Sequence, residues 1–347
     1  MISDNKKKVC IIYTGGTIGM IPSDQGYIPN PDSFLDILSR LQDVYHPVMP
    51  EWELIEFTPL LDSSNITVKE WNKIGRVIRD RYDDFDGFVI LHGTDTMAYS
   101  ASALSFMLEN LNKPVVFTGS QIPLCELRSD GRDNIINSIV IAASDKIHEV
   151  CLYFNGKLLR GNRSTKTSSD QFKAFTSPNY PLLADVGIAI SYHDVAIKKE
   201  TAGELHLQEF DEIPIGVLKI FPGIQFELFE SIMTEKLKGV ILESFGAGNI
   251  PSYNNSLLPI IEKAYKSGTI IIVCSQCMQG TVSLGAYATS KALKDVDAVN
   301  GRDMTTEAAV TKLYYLFSKK LNKEEIKRQM SMDLRGELNS KNEQCQT

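Results

Sequence analysis

The sequence lacks the features that binding to nucleic acid or crossing a membrane requires. Its net charge is −7, and after the cluster Lys6-Lys7-Lys8 no basic block follows that could neutralise phosphates. No run approaches the roughly 18 apolar residues of a membrane span. Only five apolar residues separate the lysine cluster from Thr14, fewer than the roughly 7–15 of a secretory h-region. We therefore expect a cytoplasmic protein that binds neither nucleic acid nor membrane.

Metal-binding and redox patterns are also scarce. The five histidines are scattered and form no helical metal pair; they stand at positions 46, 92, 148, 193 and 206. Of the six cysteines, Cys10 and Cys151 lie in apolar runs and read as small buried side chains. Cys274 and Cys277 form a C-x-x-C without a second pair, which favours an incidental pair over a redox-sensitive one. We expect no metal site.

Common nucleotide-binding and hydrolase motifs are incomplete. Residues 119–121 lack the closing glycine of a nucleophile elbow, and residues 15–20 lack the Gly-Lys-Ser/Thr ending of a phosphate-binding loop. The segment GAGNIP at 246–251 begins like a dinucleotide fingerprint, but Pro251 occupies the place of the third glycine. We therefore expect neither a phosphate-binding loop nor binding of NAD.

What the sequence does have is an alternation of strand-like and helix-period segments over 347 residues, of which 43% are hydrophobic. This pattern predicts an α/β fold with two domains. We expect a larger N-terminal domain over 1–190 with a doubly wound, mostly parallel sheet. A polar connection over 191–212 leads to a smaller C-terminal α/β domain over 213–347.

Local signals place several helices. Thr67 and Glu70 form a capping box that opens one helix, and Asn322 with Glu325 caps the last one. Further helices are predicted by apolar spacing over residues 98–111, 133–144, 227–233, 257–266 and 305–320.

Two short motifs carry most of the functional information. TGGTIG at 14–19 follows the buried strand 9–13, and HGTDTM at 92–97 follows the buried strand 88–91. Thr14 and Thr94 therefore lie at the carboxyl ends of strands, the edge at which α/β sheets bind ligands. With Asp95 beside Thr94, the two hydroxyls predict a threonine-based acyl-transfer site. A free threonine hydroxyl is a weak nucleophile and needs a base.

The remaining candidates each allow two interpretations. Lys166 lies in the polar segment 161–169, either as a solvated surface lysine or as a proton relay. Asp62, Ser63 and Ser64 form either a turn with a cap or a binding site for a carboxylate near a helix N-terminus. Tyr27 is either a core aromatic or a phenol on a mobile loop over the first motif.

The two motifs resemble the signature motifs of the L-asparaginase family. The resemblance covers essentially the whole chain and extends through residues 88–108, 118–123, 127–131, 160–166 and 334–337. The form of the segment at 62–64 and the missing secretory signal resemble the bacterial cytoplasmic type I branch. The resemblance implies hydrolysis of L-asparagine to L-aspartate and ammonia without metal or cofactor. It also implies a homodimer, or a homotetramer built from such dimers.

The resemblance assigns catalytic roles to five residues. Thr14 is the nucleophile that forms an acyl-enzyme ester, and Tyr27 closes over it and helps proton movement. Thr94, Asp95 and Lys166 form a second hydrogen-bonded set that activates water or a hydroxyl. The physical reading of the residues alone does not rank Thr14 above Thr94 as the group that acts first.

It also assigns substrate contacts. Asp95 receives the α-amino group of the substrate, and Ser63 with its neighbours Asp62 and Ser64 holds the α-carboxylate. A backbone N–H from the loop of Thr94 completes an oxyanion hole, with Thr94 itself also in the binding set. Asn249 matches a position that reaches the site of the partner subunit.

Two other functions are compatible with the resemblance. A non-catalytic asparagine sensor predicts loss of the nucleophile or of the lysine, yet both are present. The amidase subunit of a tRNA-dependent amidotransferase carries a further domain ahead of the first motif, whereas Thr14 stands near the start of this sequence. Hydrolysis of asparagine is therefore the favoured function.

One position departs from the pattern of the family. Some type I relatives carry a second, regulatory asparagine site around an arginine just before a Ser-aromatic-Gly-x-Gly-Asn segment. Here Glu243 takes that place, while Thr165 and Cys277 match other parts of the regulatory site. A glutamate repels the carboxylate of an effector. The sequence therefore predicts weakened or absent regulation by asparagine.

Overall fold

The chain divides into two compact units, residues 1–207 and 208–347. The computed structural model describes residues 6–24, 26–30, 33–231, 236–251, 257–285 and 288–339. The boundary between the units falls inside the stretch 191–212 that the sequence predicts as a connection. Part of that stretch pairs within the first unit, because His206–Leu207 forms an antiparallel bridge with Leu108–Glu109. Within the described ranges, no helix is both long and apolar enough to cross a membrane.

The first unit contains strands β1 to β14 and helices α1 to α4. Its strands are β1 Lys8–Gly15, β2 Met20–Ser23, β3 Gly26–Pro29, β4 Glu51–Leu61, β5 Gly87–Leu91, β6 Leu108–Glu109, β7 Val115–Thr118, β8 Val150–Phe154, β9 Lys157–Arg160, β10 Thr165–Lys166, β11 Phe175–Thr176, β12 Ala184–Val186, β13 Ile190–Tyr192 and β14 His206–Leu207. Its helices are α1 Phe34–Ser39, α2 Val68–Asp80, α3 Met97–Met107 and α4 Gly131–Ala142.

The large sheet of this unit has the strand order β13-β12-β9-β8-β7-β5-β1-β4. The five strands from β8 to β4 are parallel, and the remaining three pair antiparallel at the other side. Along β1, residues 9 to 12 are fully buried, although successive side chains of a strand point to opposite faces. Both faces of the sheet are therefore covered, as a doubly wound sheet requires.

Local sequence signals set the ends of several helices. The predicted capping box at the start of α2 is confirmed, with both the Thr67 and the Glu70 hydrogen bonds present. The helix predicted over 98–111 was too long, since α3 ends at Met107. Leu108 and Glu109 instead pair as β6 with β14, and this long-range pairing outweighs the apolar spacing that suggested helix.

The second unit has a smaller sheet of four parallel strands in the order β15-β16-β17-β18. Its elements are β15 Ile215–Lys219, β16 Gly239–Ser244, α5 Leu257–Lys266, β17 Ile270–Ser275, α6 Ala288–Asp295, β18 Val299–Asn300, α7 Thr306–Ser318 and α8 Lys323–Met330. The predicted cap of α8 by Asn322 is confirmed. The helix predicted over 227–233 was wrong at its start, where Phe226–Phe229 forms a 3-10 turn, and its end lies outside the described residues. The predicted α/β class, with a large parallel-dominated sheet and a smaller C-terminal α/β unit, is confirmed.

A buried ion pair fixes the end of the described chain within this second unit. Lys312 on α7 and Glu337 are both fully buried, with Nζ 2.5 Å from Oε1. Lys312 also donates to the carbonyls of Met330 and Met332, and Glu337 accepts from the amides of Leu334 and Arg335. Burial by itself would raise the pKa of Glu337, but the ammonium of Lys312 and the amides of Arg335 and Glu337 outweigh it and lower that pKa.

We predict that Lys312→Met lowers the free energy of unfolding by about 3–5 kcal/mol, because it leaves a buried carboxylate without its counter-ion. Adding Glu337→Gln should restore most of that loss, since the amide oxygen still accepts from the backbone. Urea unfolding followed by circular dichroism measures both variants. The matched control is Lys263→Met, which breaks the exposed pair of Lys263 with Glu230 and should leave the midpoint unchanged. An unchanged midpoint for Lys312→Met would contradict the assigned role.

Candidate active site

The loops that leave the parallel strands meet at one edge of the large sheet, and glycines allow them to approach closely. A Cβ added at Gly16 would lie 2.4 Å from the amide nitrogen of Gly93. A Cβ added at Gly93 would lie 2.5 Å from Oγ of Ser63. These loops follow β1, β5 and β4, whose carboxyl ends share the edge because the strands are parallel. The two sequence motifs and the segment at 62–64 are therefore in contact.

Thr14 lies at the end of β1 and is only 1% exposed. Its hydroxyl donates to the carbonyl of Leu91, with Oγ1 2.9 Å from O. The contact follows from the pairing of the two strands, in which Tyr13 is opposite Leu91. The hydroxyl is thus held at the sheet edge by a backbone acceptor.

Lys166, Thr94 and Asp95 form one hydrogen-bonded set. Nζ of Lys166 lies 2.9 Å from Oγ1 of Thr94 and 2.7 Å from Oδ1 of Asp95. The side chain of Lys166 is 18% exposed and that of Asp95 is 67% exposed. Of the two interpretations of Lys166, the solvated surface lysine was wrong. The ammonium is instead partly buried against a hydroxyl and a carboxylate, and the carboxylate remains accessible to a ligand.

Gln121 belongs to the same network, and the sequence reasoning assigned it no role. The Thr94 hydroxyl donates to Oε1 of Gln121 at 3.3 Å, and Nε2 of Gln121 donates to the carbonyl of Gln171 at 3.1 Å. An ammonium only donates, so the Thr94 hydroxyl accepts a hydrogen bond from Lys166 and donates one to Gln121. The sequence could have pointed to Gln121 through the segment TGSQIP at 118–123. This segment begins at the end of β7, which pairs parallel to β5, so its loop leaves from the same edge of the sheet as the second motif.

At 62–64 the structure confirms the turn with its cap, one of the two interpretations made from the sequence. Asp62 caps the 3-10 turn Ser63–Asn65, its Oδ1 accepting from the amide of Ser64 at 2.9 Å. Ser63 is buried against Gly93, and its carbonyl accepts from the hydroxyl of Thr96 at 2.7 Å. The turn with its cap therefore holds the Ser63 hydroxyl beside the second motif.

Tyr27 lies on the hairpin formed by β2 and β3 and is half exposed, so of its two interpretations the core aromatic was wrong. Its hydroxyl donates to Oε1 of Glu126 at 2.9 Å, and this hydrogen bond raises the pKa of Tyr27. In the described structure no hydrogen bond joins Tyr27 to Thr14. The structure thus brings together Thr14, Ser63, Thr94, Asp95 and Lys166 at one edge, and it directs the phenol of Tyr27 to Glu126.

Asn249 and Glu243 belong to the second unit. Asn249 follows β16 in a tight turn, in which its amide donates to the carbonyl of Phe245 at 2.9 Å. Glu243 lies near the end of β16, where Oε1 accepts from the hydroxyl of Thr306 at 2.6 Å. Oε2 lies 3.9 Å from Nζ of Lys219. The carboxylate of Glu243 is therefore engaged with partners of its own unit. In the described part of the chain, no group of three or more acidic, histidine or cysteine side chains is arranged to hold a metal ion.

Comparisons with known proteins agree along both units. The family model described as Asparaginase, N-terminal matches residues 8–198, and the Glutaminase/Asparaginase C-terminal domain matches residues 214–330. The chain is 48% identical over 333 residues to L-asparaginase 1 of Escherichia coli strain K12, covering 96% of this chain and 98% of that protein. The crystal structure of L-asparaginase I from Vibrio cholerae matches with a TM-score of 0.89 and 44% identity, over 97% of this chain and 100% of that one. The thermostable L-asparaginase from Thermococcus kodakarensis matches with a TM-score of 0.86 and 30% identity, over 96% and 99% of the two chains.

We predict that Gly16→Ala destabilises the protein more than an equivalent change at an open glycine. Gly16 has φ +91 and no room for a Cβ, whereas Gly268 has φ +98 and nothing within 4 Å of the added carbon. Both substitutions carry the strain of the left-handed region, so Gly268→Ala is the matched control. The contact with Gly93 should add about 1–3 kcal/mol to the loss for Gly16→Ala, measured by urea unfolding. Equal losses would show that the loops do not need this close approach.

Proposed function

The chain belongs to the bacterial type I branch of the L-asparaginase family, and we propose that it hydrolyses L-asparagine to L-aspartate and ammonia through a threonine acyl-enzyme. The observation that carries the proposal is the set formed by Lys166, Thr94 and Asp95 at the sheet edge where Thr14 also lies. This arrangement offers a hydroxyl nucleophile, a second hydroxyl with a basic partner, and an accessible carboxylate. These are the groups that acyl transfer without histidine requires.

Binding of the substrate depends on both of its charges. We propose that the exposed carboxylate of Asp95 receives the α-ammonium group. Ser63 binds the α-carboxylate with its hydroxyl, together with groups of the neighbouring Ser64, and Asp62 acts through the turn that its carboxylate caps. Fixing both charges orients the side-chain amide, which contributes more to the rate than to the affinity.

In the proposed first step, Oγ1 of Thr14 forms a bond to the amide carbon of the substrate. Attack requires the hydroxyl to turn away from the Leu91 carbonyl, and its proton ends on the amide nitrogen, which leaves as ammonia. Tyr27 assists this proton movement once its hairpin has brought the phenol from Glu126 towards Thr14.

In the proposed second step, water attacks the ester. Lys166 first gives a proton to the departing ammonia, which leaves as ammonium, and so becomes an amine. Oγ1 of Thr94 then accepts a proton from the attacking water, while the Thr94 hydroxyl turns from Gln121 and gives its own proton to the Lys166 amine. The ester bond breaks, the new carboxyl group gives its proton to the oxygen of Thr14, and L-aspartate leaves. Asp95 holds Lys166 in place throughout, since the two side chains are 2.7 Å apart.

We also propose that the enzyme acts in the cytoplasm as a homodimer or homotetramer, with Asn249 completing the site of the partner subunit. The cysteines Cys10, Cys125, Cys151, Cys274 and Cys277 are free thiols, as a reducing compartment favours.

The decisive experiment combines ammonia release with trapping of the ester. Wild-type protein should release ammonia from asparagine, and Thr14→Val should release none. Lys166→Met should lower kcat by about 10²–10⁴-fold, because the proton acceptor is lost. After quenching this variant with asparagine present, mass spectrometry should find an aspartyl ester on the peptide that contains Thr14. The control Lys173→Met changes an exposed lysine of the neighbouring loop and should leave kcat unchanged.

An ester on the peptide that contains Thr94 would overturn the order of the two threonines. Absence of ammonia from wild-type protein with asparagine would overturn the hydrolase itself and favour a sensor.

Glu243 stands where some relatives carry the arginine of a regulatory asparagine site. We propose that regulation by asparagine through a second site is weakened or absent, because Glu243 presents a carboxylate where an effector carboxylate would bind. The rate should follow a hyperbola from micromolar to tens of millimolar asparagine. Glu243→Gln, which keeps the acceptor for Thr306, should give a hyperbola as well. A sigmoidal curve for the wild type that Glu243→Arg leaves unchanged would contradict this proposal.

A further inference from the structure

His92 is a buried residue of the second motif to which the proposed mechanism gives no role. Its side chain lies at the sheet edge, only 1% exposed, with its ring edge-on to Phe117 at 5.8 Å between centroids. Its amide donates to the carbonyl of Thr118 at 2.9 Å, which continues the pairing of β5 with β7. Both contacts are with β7, so this neighbouring strand holds the backbone and packs against the ring of His92.

The contacts of the ring define its tautomer. Nδ1 lies 2.6 Å from the carbonyl oxygen of Gly93, and a carbonyl oxygen can only accept. Burial lowers the pKa of His92 to about 4, so the ring is neutral near pH 7 and carries one N–H. That N–H is on Nδ1 and donates to Gly93. Nε2 finds no hydrogen-bond partner among the residues that the structure describes.

The carbonyl that His92 holds belongs to the same peptide group as the amide of Thr94. A trans peptide is planar, so its C=O and N–H point in opposite directions. Holding the Gly93 oxygen against the imidazole therefore turns the Thr94 N–H away from it. Among the described residues, this N–H donates to no protein acceptor.

The backbone of Gly93 needs a hydrogen bond of this kind to restrict its conformation. It lies between Gly16 and Ser63, where a Cβ would come within 2.5 Å of the Ser63 hydroxyl, so it cannot have a side chain that packs and restricts it. Glycine also has the widest backbone freedom of all residues. The hydrogen bond from His92 supplies the restraint that the missing side chain does not.

We propose that His92 is a positioning residue, which fixes the Gly93–Thr94 peptide so that the Thr94 amide donates to the oxyanion formed when the substrate amide is attacked. The inference rests on the proposed acyl transfer. A donor held in place before the reaction needs no reorganisation as charge develops, which is why such donors lower the barrier. His92 itself transfers no proton, because its N–H is committed to Gly93.

The test compares two substitutions of His92. His92→Leu removes the N–H that donates to the Gly93 carbonyl. His92→Asn retains such an N–H on Nδ2, which is bonded to Cγ as Nδ1 of histidine is. We expect His92→Leu to lower kcat by at least about tenfold, but by less than the roughly 10²–10³-fold that complete removal of an oxyanion donor costs, with KM nearly unchanged. His92→Asn should recover most of that loss.

The matched control is His148→Leu. His148 makes the same kind of contact, with Nδ1 3.1 Å from the carbonyl of Asn112, but it precedes β8 at the opposite edge of the sheet. Its replacement should leave kcat unchanged. Thermal unfolding of all three variants separates loss of fold from loss of rate.

A crystal structure of His92→Leu gives a readout independent of turnover. We expect the Gly93–Thr94 peptide to rotate in His92→Leu and to keep its orientation in His92→Asn. An unrotated peptide in His92→Leu, or equal losses of kcat in both variants, would overturn the role of His92. Failure of wild-type protein to turn over asparagine would instead overturn the proposed function, while the peptide orientation would still be measurable.

Discussion

The parallel pairing of β4, β1, β5 and β7 is the constraint on which the candidate site depends. Parallel strands bring their carboxyl ends to one edge, so the loops of four separate chain segments leave the sheet side by side. The opposition of Tyr13 and Leu91 in the ladder then places the Thr14 hydroxyl on a backbone carbonyl. The close contact of Gly16 with Gly93 is possible only because Gly16 has no Cβ, and that of Gly93 with Ser63 only because Gly93 has none. In an antiparallel pair the two motifs would lie at opposite edges.

The ion pairs of this protein differ in how far their charged groups are buried and hydrogen-bonded. Glu149 and Arg160 are buried in the first unit, and Lys312 and Glu337 in the second, each with further backbone partners. Such pairs hold chain segments in place, and removing one partner is costly. Asp95 differs, because its carboxylate is paired with Lys166 and yet two-thirds exposed. That combination of a fixed position and remaining accessibility suits a group that meets a charged ligand.

Neutral side chains, together with Lys166, determine which atom donates and which accepts in each hydrogen bond of the site. Lys166 donates to Thr94, Thr94 donates to Gln121, and Gln121 donates to a backbone carbonyl, so the direction of each hydrogen bond follows from the one before. His92 does the same for the peptide after it, with its single N–H on the Gly93 oxygen. The site is therefore ordered before any substrate arrives, which is a general requirement for electrostatic stabilisation of a transition state.

The sequence by itself determined the alternation of strands and helices, the caps at Thr67 and Asn322, and the positions of Thr14 and Thr94 after buried strands. These features are local, because periodicity and capping depend on residues only a few positions apart. Tertiary structure alone decided that α3 stops at Met107 and that Tyr27 contacts Glu126. It also brought Gln121 to Thr94 and placed the ring of His92 against Phe117. The physical reason is that hydrogen bonds between distant segments are set by strand order and register, which no local pattern encodes.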